Sequence, residues 1–101
     1  MAIDSRLSPD GNELTLMIKG RFDFSAHQEF RGSYEKLAKK PDRYIIDLKE
    51  TAYVDSSALG MLLLLRDFAG GGNARIEIQH ASDDVRRILT ISNFDQLFTI
   101  Q

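Results

Sequence analysis

The sequence predicts an α/β protein: one domain with an open mixed β-sheet, helices packed against it, in the order β-β-α-β-α-β-α-β. Three observations carry that expectation. Short runs with a two-residue apolar period alternate with longer stretches whose apolar residues recur every three to four positions. Helix caps and turn residues fall between them. The 101 residues, 43% of them apolar, are enough for a single core. No repeat, low-complexity tract or Pro/Ser-rich linker divides the chain, so residues 1–101 read as one domain.

Taken in order, Ile3 to Leu7 can form a first strand, and Asp10-Gly11-Asn12 is a turn signal. Leu14, Leu16 and Ile18 then alternate with Thr15, Met17 and Lys19, the period of a half-buried strand, so the two runs form a hairpin. Gly20 to Phe24 reads as a loop. Ser25 followed by Gln28 has the spacing of a capping box, in which each side chain satisfies an orphan N–H at a helix start. Phe30, Tyr34, Leu37 and Ala38 make one apolar stripe, and Lys39-Lys40-Pro41 ends that helix.

Tyr44 to Leu48 is short, β-branched and apolar on both faces except at Asp47, as expected of a central strand. A second helix spans about Ser56 to Ala69 and stops in Gly70-Gly71-Gly72-Asn73. Arg75 to Gln79 alternates as a strand. Ser82-Asp83-Asp84 caps a third helix carrying Val85, Ile88 and Leu89, Asn93 closes it, and Phe98 to Ile100 forms the last strand.

Composition narrows the function classes. Thirteen basic and 15 acidic residues leave a net charge of -2. So balanced a surface offers no footprint for a nucleic-acid backbone or an anionic membrane. Cysteine is absent, which removes disulfides, thiolate catalysis and Cys-based metal sites. No His/Asp/Glu cluster has metal-ligand spacing, and no cofactor is implied. The N-terminal residues lack an apolar leader core. The longest near-apolar run, Ala58 to Leu65, is far short of the roughly 20 residues that cross a bilayer. The expectation is a soluble, cytoplasmic protein.

Function points to the segment from Asp47 to Gly60, where a buried strand leads through a short loop into Asp55-Ser56-Ser57 at the mouth of a helix. Helix N-termini present unpaired N–H groups and a partial positive charge, so a serine there can carry a phosphate. A phosphate on Ser56 would add about -1.5 to -2 charge beside Asp55. The helix would tolerate it; a partner docked over that point would not. The same three residues can equally serve only as caps.

On a helical wheel of residues 58–69, Ala58, Met61, Leu62, Leu64, Leu65, Phe68 and Ala69 share the core arc. Leu59 and Leu63 fall on the polar arc with Gly60, Arg66 and Asp67. Two leucines exposed beside a modifiable serine make a docking patch, unless another element covers them or they are scattered surface apolars.

These residues resemble the STAS domain, in its bacterial anti-sigma factor antagonist branch. The similarity takes in the hairpin, the Gly20-Arg21-Phe22-Asp23 loop, the strand from Tyr44 to Leu48 leading to Val54-Asp55-Ser56-Ser57-Ala58-Leu59-Gly60, and the ending from Ser92 to Phe98. The resemblance implies a non-catalytic switch. In such families the unphosphorylated antagonist binds an anti-sigma factor, often itself a serine kinase, which phosphorylates the first serine after the aspartate. Here that is Ser56. A PP2C-type phosphatase restores the complex. Asp23 matches the family's aspartate after the second strand, and Asp55 the residue preceding the modified serine. Asp23, Asp55, Ser57, Leu59 and Leu63 are the expected partner-binding residues. Ala58 stands where the family often has Gly, a change that favours the helix.

Other chemistry finds less support. A serine hydrolase needs a base beside its nucleophile. Only His27 and His80 are present, and no Gly-x-Ser-x-Gly elbow surrounds Ser56. Gly70-Gly71-Gly72 lacks the Gly-Lys-Ser/Thr of a phosphate loop, and no small-molecule substrate is implied. Arg86-Arg87 reads as a solvated basic pair or a contact for an acidic partner. The alternative function is a STAS adaptor, never phosphorylated, in a transporter, lipid-trafficking or other signalling complex.

Overall fold

In the computed structural model, which describes residues 2–101, the hairpin forms as its turn chemistry requires. Strands β1 (Ile3–Leu7) and β2 (Glu13–Ile18) pair antiparallel, Ile3 opposite Ile18 and Leu7 opposite Leu14. Asp10 Oδ1 accepts from the Asn12 amide at 3.0 Å and from the Ser8 hydroxyl at 2.7 Å. Gly11 takes φ +77°, a conformation that costs glycine little and other residues more.

From β2 the chain continues through β3 (Gly20–Phe22), α1 (His27–Glu35), β4 (Arg43–Asp47), β5 (Thr51–Val54), α2 (Ser56–Phe68), β6 (Ile76–Gln79), α3 (Asp83–Ile91) and β7 (Thr99–Ile100). The main sheet has the order β1-β2-β4-β6-β7, parallel except at the β1–β2 edge. The expected mixed sheet is therefore present, and β4 is its central strand.

Two segments read as loops are strands instead. Gly20–Phe22 and Thr51–Val54 form a separate parallel pair, Arg21 opposite Tyr53 and Phe22 opposite Val54. Each is too short for a period to show. Gly20, at φ +73°, turns the chain out of β2 and away from the main sheet. The Thr51 hydroxyl donates to the Ile18 carbonyl at 2.7 Å and ties the small pair back to the large one.

The helix starts divide in the same way. Ser82 caps α3 by accepting from the Val85 amide, and Asn93 leaves it at φ +61°, both as expected. Ser25 does not cap α1. A single 3-10 turn, Phe24–Ala26, intervenes, and Asp23 caps that turn through the Ser25 amide at 3.0 Å. Ala26 then holds the α1 cap position with no side-chain bond. α1 also ends at Glu35, earlier than Lys39-Lys40-Pro41 suggested. Lys40 serves the neighbouring helix: its Nζ donates to the Phe68 carbonyl at 2.9 Å, at the negative end of α2.

One face of the main sheet makes the core. Leu14, Leu16, Ile18, Tyr44, Ile46 and Ile78 are each at most 1% exposed and pack with Phe30, Leu62, Leu65 and Leu89 of the three helices. The small sheet adds Phe22 and Val54. On the opposite face Glu77 is only 8% exposed, and Arg43 bridges it to Glu13. No helix among the described residues is long and apolar enough to cross a membrane.

Candidate functional site

The small parallel pair positions the site. Pairing of Phe22 with Val54 sets the residues that follow, Asp23 and Asp55, next to each other at the start of two helical segments. The Asp55 amide reaches back to the Phe22 carbonyl across this junction. The aspartates are close enough for the charge on Asp23 to push the Asp55 carboxyl upward.

Asp55 is the N-cap of α2, extended at φ -114° and ψ -177°. Its Oδ1 accepts from the Ser57 hydroxyl at 2.6 Å and the Ala58 amide at 3.0 Å. These bonds, the Ser57 hydroxyl first, hold the Asp55 carboxyl below the ordinary carboxylate range and outweigh Asp23. Asp23 is lowered for the same kind of reason: the Ser25 hydroxyl and amide donate to Oδ1, and Arg21 Nε approaches Oδ2 at 3.3 Å. Both carboxylates are therefore ionised and committed to local bonds near neutral pH.

The two serines differ sharply. Ser57 is half-buried, with its hydroxyl spent on Asp55. Ser56 is the first residue of α2 and lies exposed, and among the described residues no side-chain hydrogen bond holds its hydroxyl. It stands free at the positive end of a 13-residue helix.

The apolar surroundings depart from the wheel. Leu63 is exposed as expected, at 39%. Leu59 is half-buried and packs against the core. Leu64, assigned to the core arc, is 56% exposed, because α1 packs beside Met61 and leaves Leu64 at the rim between the two helices. His27 and Leu64 line one shallow cleft at this rim, and Phe24, 66% exposed, stacks on His27 with ring centroids 4.8 Å apart. Arg21 sits 4.5 Å over the Tyr53 ring while engaging Asp23.

Phe24, Leu64, Arg21 and Tyr53 were thus missed by sequence reasoning. Arg21 alone had a signal, since it lies two residues before Asp23 in the Gly20-Arg21-Phe22-Asp23 segment. The remaining candidates form no site. His80 meets Asp47 at 3.0 Å just past the C-terminal end of β6, and among the described residues no group of three His, Asp or Glu could hold a metal ion. A depression of about 480 Å³ lined by Arg43, Arg75, Glu77 and Asp95 shares no residue with the α2 N-terminus.

Residues 5–100 match the family model described as "Mlab, STAS domain". A STAS-domain containing protein of Pseudomonas aeruginosa (strain UCBPP-PA14) is 61% identical over 100 residues, 99% of each chain. Two solved structures share the fold. The phosphorylated form of the Bacillus cell fate determinant SpoIIAA superposes with a TM-score of 0.75 at 15% identity, covering 99% of this chain and 91% of its own. The STAS domain of an antisigma-factor antagonist from Rhodobacter sphaeroides gives 0.60 at 25% identity, over 80% and 90%.

Proposed function

Because the chain belongs to the STAS-domain family, we propose that it works as an anti-sigma factor antagonist governed by phosphorylation of Ser56. In this reading residues 1–101 act as one non-catalytic, cytoplasmic unit. Unphosphorylated, it binds an anti-sigma factor that is also a serine kinase; phosphorylated, it lets go; a PP2C-type phosphatase resets it.

The observation that carries the reading is the inequality of the two serines. Ser56 offers a free hydroxyl at a helix N-terminus, whereas Ser57 is engaged with Asp55. A phosphoryl group on Ser56 needs no bond in the fold to break. The helix terminus offsets part of its charge, by about 0.3–1 kcal/mol and up to about 2.

A partner pressed onto the same spot meets a different balance. Phosphate and Asp55 together bring about -3 charge, with Asp23 adjacent, and docking would strip water from all of it. Desolvating unmatched charge outweighs the apolar contacts that Leu63 and the half-buried Leu59 supply. Asp23, Asp55, Ser57, Leu59 and Leu63 therefore belong to the proposed binding surface, with Phe24, Tyr53 and Leu64 at its border.

The test is the intact mass of the protein from its own cells, before and after phosphatase, followed by peptide mapping. One phosphatase-sensitive phosphate on Ser56 supports the switch. No phosphate under any growth condition, or phosphate on Ser57 alone, overturns it. Stoichiometric co-purification with a transporter or lipid-trafficking assembly would then identify a constitutive adaptor.

A further inference from the structure

We propose that the free edge of β1 pairs antiparallel with β1 of a second copy of this chain, about a two-fold axis through Ser5. β1 is an outer strand of the five-stranded sheet. The Ala2 carbonyl accepts from the Lys19 amide and the Ser8 amide donates to the Glu13 carbonyl, so even-numbered residues turn their backbone groups toward β2. Ile3, Ser5 and Leu7 turn theirs outward. Glu29 of α1 takes the Ile3 amide at 3.2 Å. The Ser5 and Leu7 N–H and C=O groups and the Ile3 carbonyl remain, an unpaired row of the kind that templates strand addition. α1 reaches the Ile3 end of this edge through Glu29, whereas Leu7, at the other end and on the core face of the sheet, is 44% exposed.

The side chains select both the occupant and the register. With Ser5 opposite Ser5 of the second copy, Asp4 faces Arg6 of that copy and Arg6 faces its Asp4. These lie at non-hydrogen-bonded positions, where side chains approach most closely. Leu7 falls opposite the other Ile3. A shift by two residues in one direction sets Arg6 against Arg6; in the other it sets Asp4 against Asp4. Only the Ser5-centred register is charge-complementary. Arg6 has no ion-pair partner among the described residues, while Asp4 already holds Lys19 at 2.9 Å, so the new pairing gives Arg6 its counter-charge. The Ser5 pair exchanges two backbone bonds and each Leu7 amide donates to the opposite Ile3 carbonyl; the Ile3 amide then faces the opposite Leu7 carbonyl, so Glu29 gives up that amide as the strands meet, at a cost to the dimer. An edge this short makes a weak dimer, with ten strands in one continuous sheet.

Light scattering or sedimentation from about 10 µM to about 1 mM tests the proposal. The expected result is a concentration-dependent dimer. Arg6→Asp should weaken it about tenfold or more, since it places like charges opposite one another twice, and adding Asp4→Arg should recover most of the loss. Ser5→Pro removes the central donor without touching a bond to β2, and should abolish the dimer with circular dichroism unchanged. The chain has no cysteine, so Ser5→Cys should give a disulfide-linked dimer on mild oxidation and Leu7→Cys should not. A protein monomeric throughout, a dimer indifferent to Arg6→Asp and Ser5→Pro, or equal cross-linking at positions 5 and 7 would overturn it.

Discussion

The Ser57 hydroxyl donates to Asp55 Oδ1 at 2.6 Å, and the same oxygen accepts the Ala58 amide at 3.0 Å. Position 57 is thereby structural and position 56 is not, although the residues are identical and adjacent. Asp55→Ala should cost about 0.5–2 kcal/mol as a lost cap, and Ser57→Ala about 0.5–1.5 kcal/mol as a lost hydrogen bond. Ser56→Ala should stay within about 0.5 kcal/mol of the parent. Urea unfolding with unchanged m-values reads all three.

Binding should rank the Ser56 variants the other way. Ser56→Ala retains the partner constitutively, whereas Ser56→Asp keeps the fold and loses affinity by about tenfold or more, equivalent to about 1.4 kcal/mol. Titration against the anti-sigma factor is the measurement. Equal affinities for the two variants would contradict the proposed switch.

Acid should weaken the cap. The folded protein holds the Asp55 and Asp23 carboxyls below their ordinary value of 3.8, through the Ser57 hydroxyl and Ala58 amide in one case and the Ser25 hydroxyl and amide in the other. The unfolded chain binds those protons more readily, so the stability they contribute is complete above the ordinary value and is lost as pH falls through the lowered one. The urea midpoint should be level from about pH 5 to 8 and drop below about pH 4. In Asp55→Asn, which keeps a capping oxygen without the titrating group, that drop should be smaller.

On the far face of the sheet, Arg43 donates to Glu13 at 2.9 Å and to Glu77, whose other oxygen accepts from the Gln79 amide group at 2.8 Å. Glu77 is only 8% exposed, so Arg43→Ala leaves a buried carboxylate short of its charge partner and should cost about 1–3 kcal/mol. Adding Glu77→Gln removes the stranded charge and should recover part of that loss. A double-mutant cycle by thermal unfolding checks the sign of the coupling.

Leu64 and Leu65 are neighbours with opposite environments, 56% and 0% exposed. Leu65→Ala should cost about 2.7–5 kcal/mol through the cavity it opens. Leu64→Ala should leave stability within about 0.5 kcal/mol. If Leu64 borders the partner surface, the same variant will lower binding while the unfolding curve stays put.

Features closed by local interactions were legible. The Asp55 cap and the Ser82 cap each span three residues, and the Asp10-Gly11-Asn12 turn spans fewer, so residue type and spacing suffice to expect them. Ser25 was misread although its signal was equally local. Its hydroxyl donates to Asp23 at 2.5 Å and its own amide donates to the same oxygen, so Asp23 caps a 3-10 turn two residues earlier and Ser25 is drawn into that turn as a donor.

By itself the sequence determined the order of the principal elements, the central place of Tyr44 to Leu48, and a serine beside a capping aspartate at a helix mouth. Alternation, helical spacing and capping all act within a few residues, where the chain cannot choose its neighbours. The tertiary structure alone decided that Gly20–Phe22 finds Thr51–Val54, that Lys40 closes α2 rather than its own helix, and which leucines reach solvent. Those outcomes depend on partners about 30 residues away, selected when α1 and the small sheet come to rest beside α2. A helical wheel can say that Leu64 and Leu65 differ by 100°; which of those directions is filled was settled by packing.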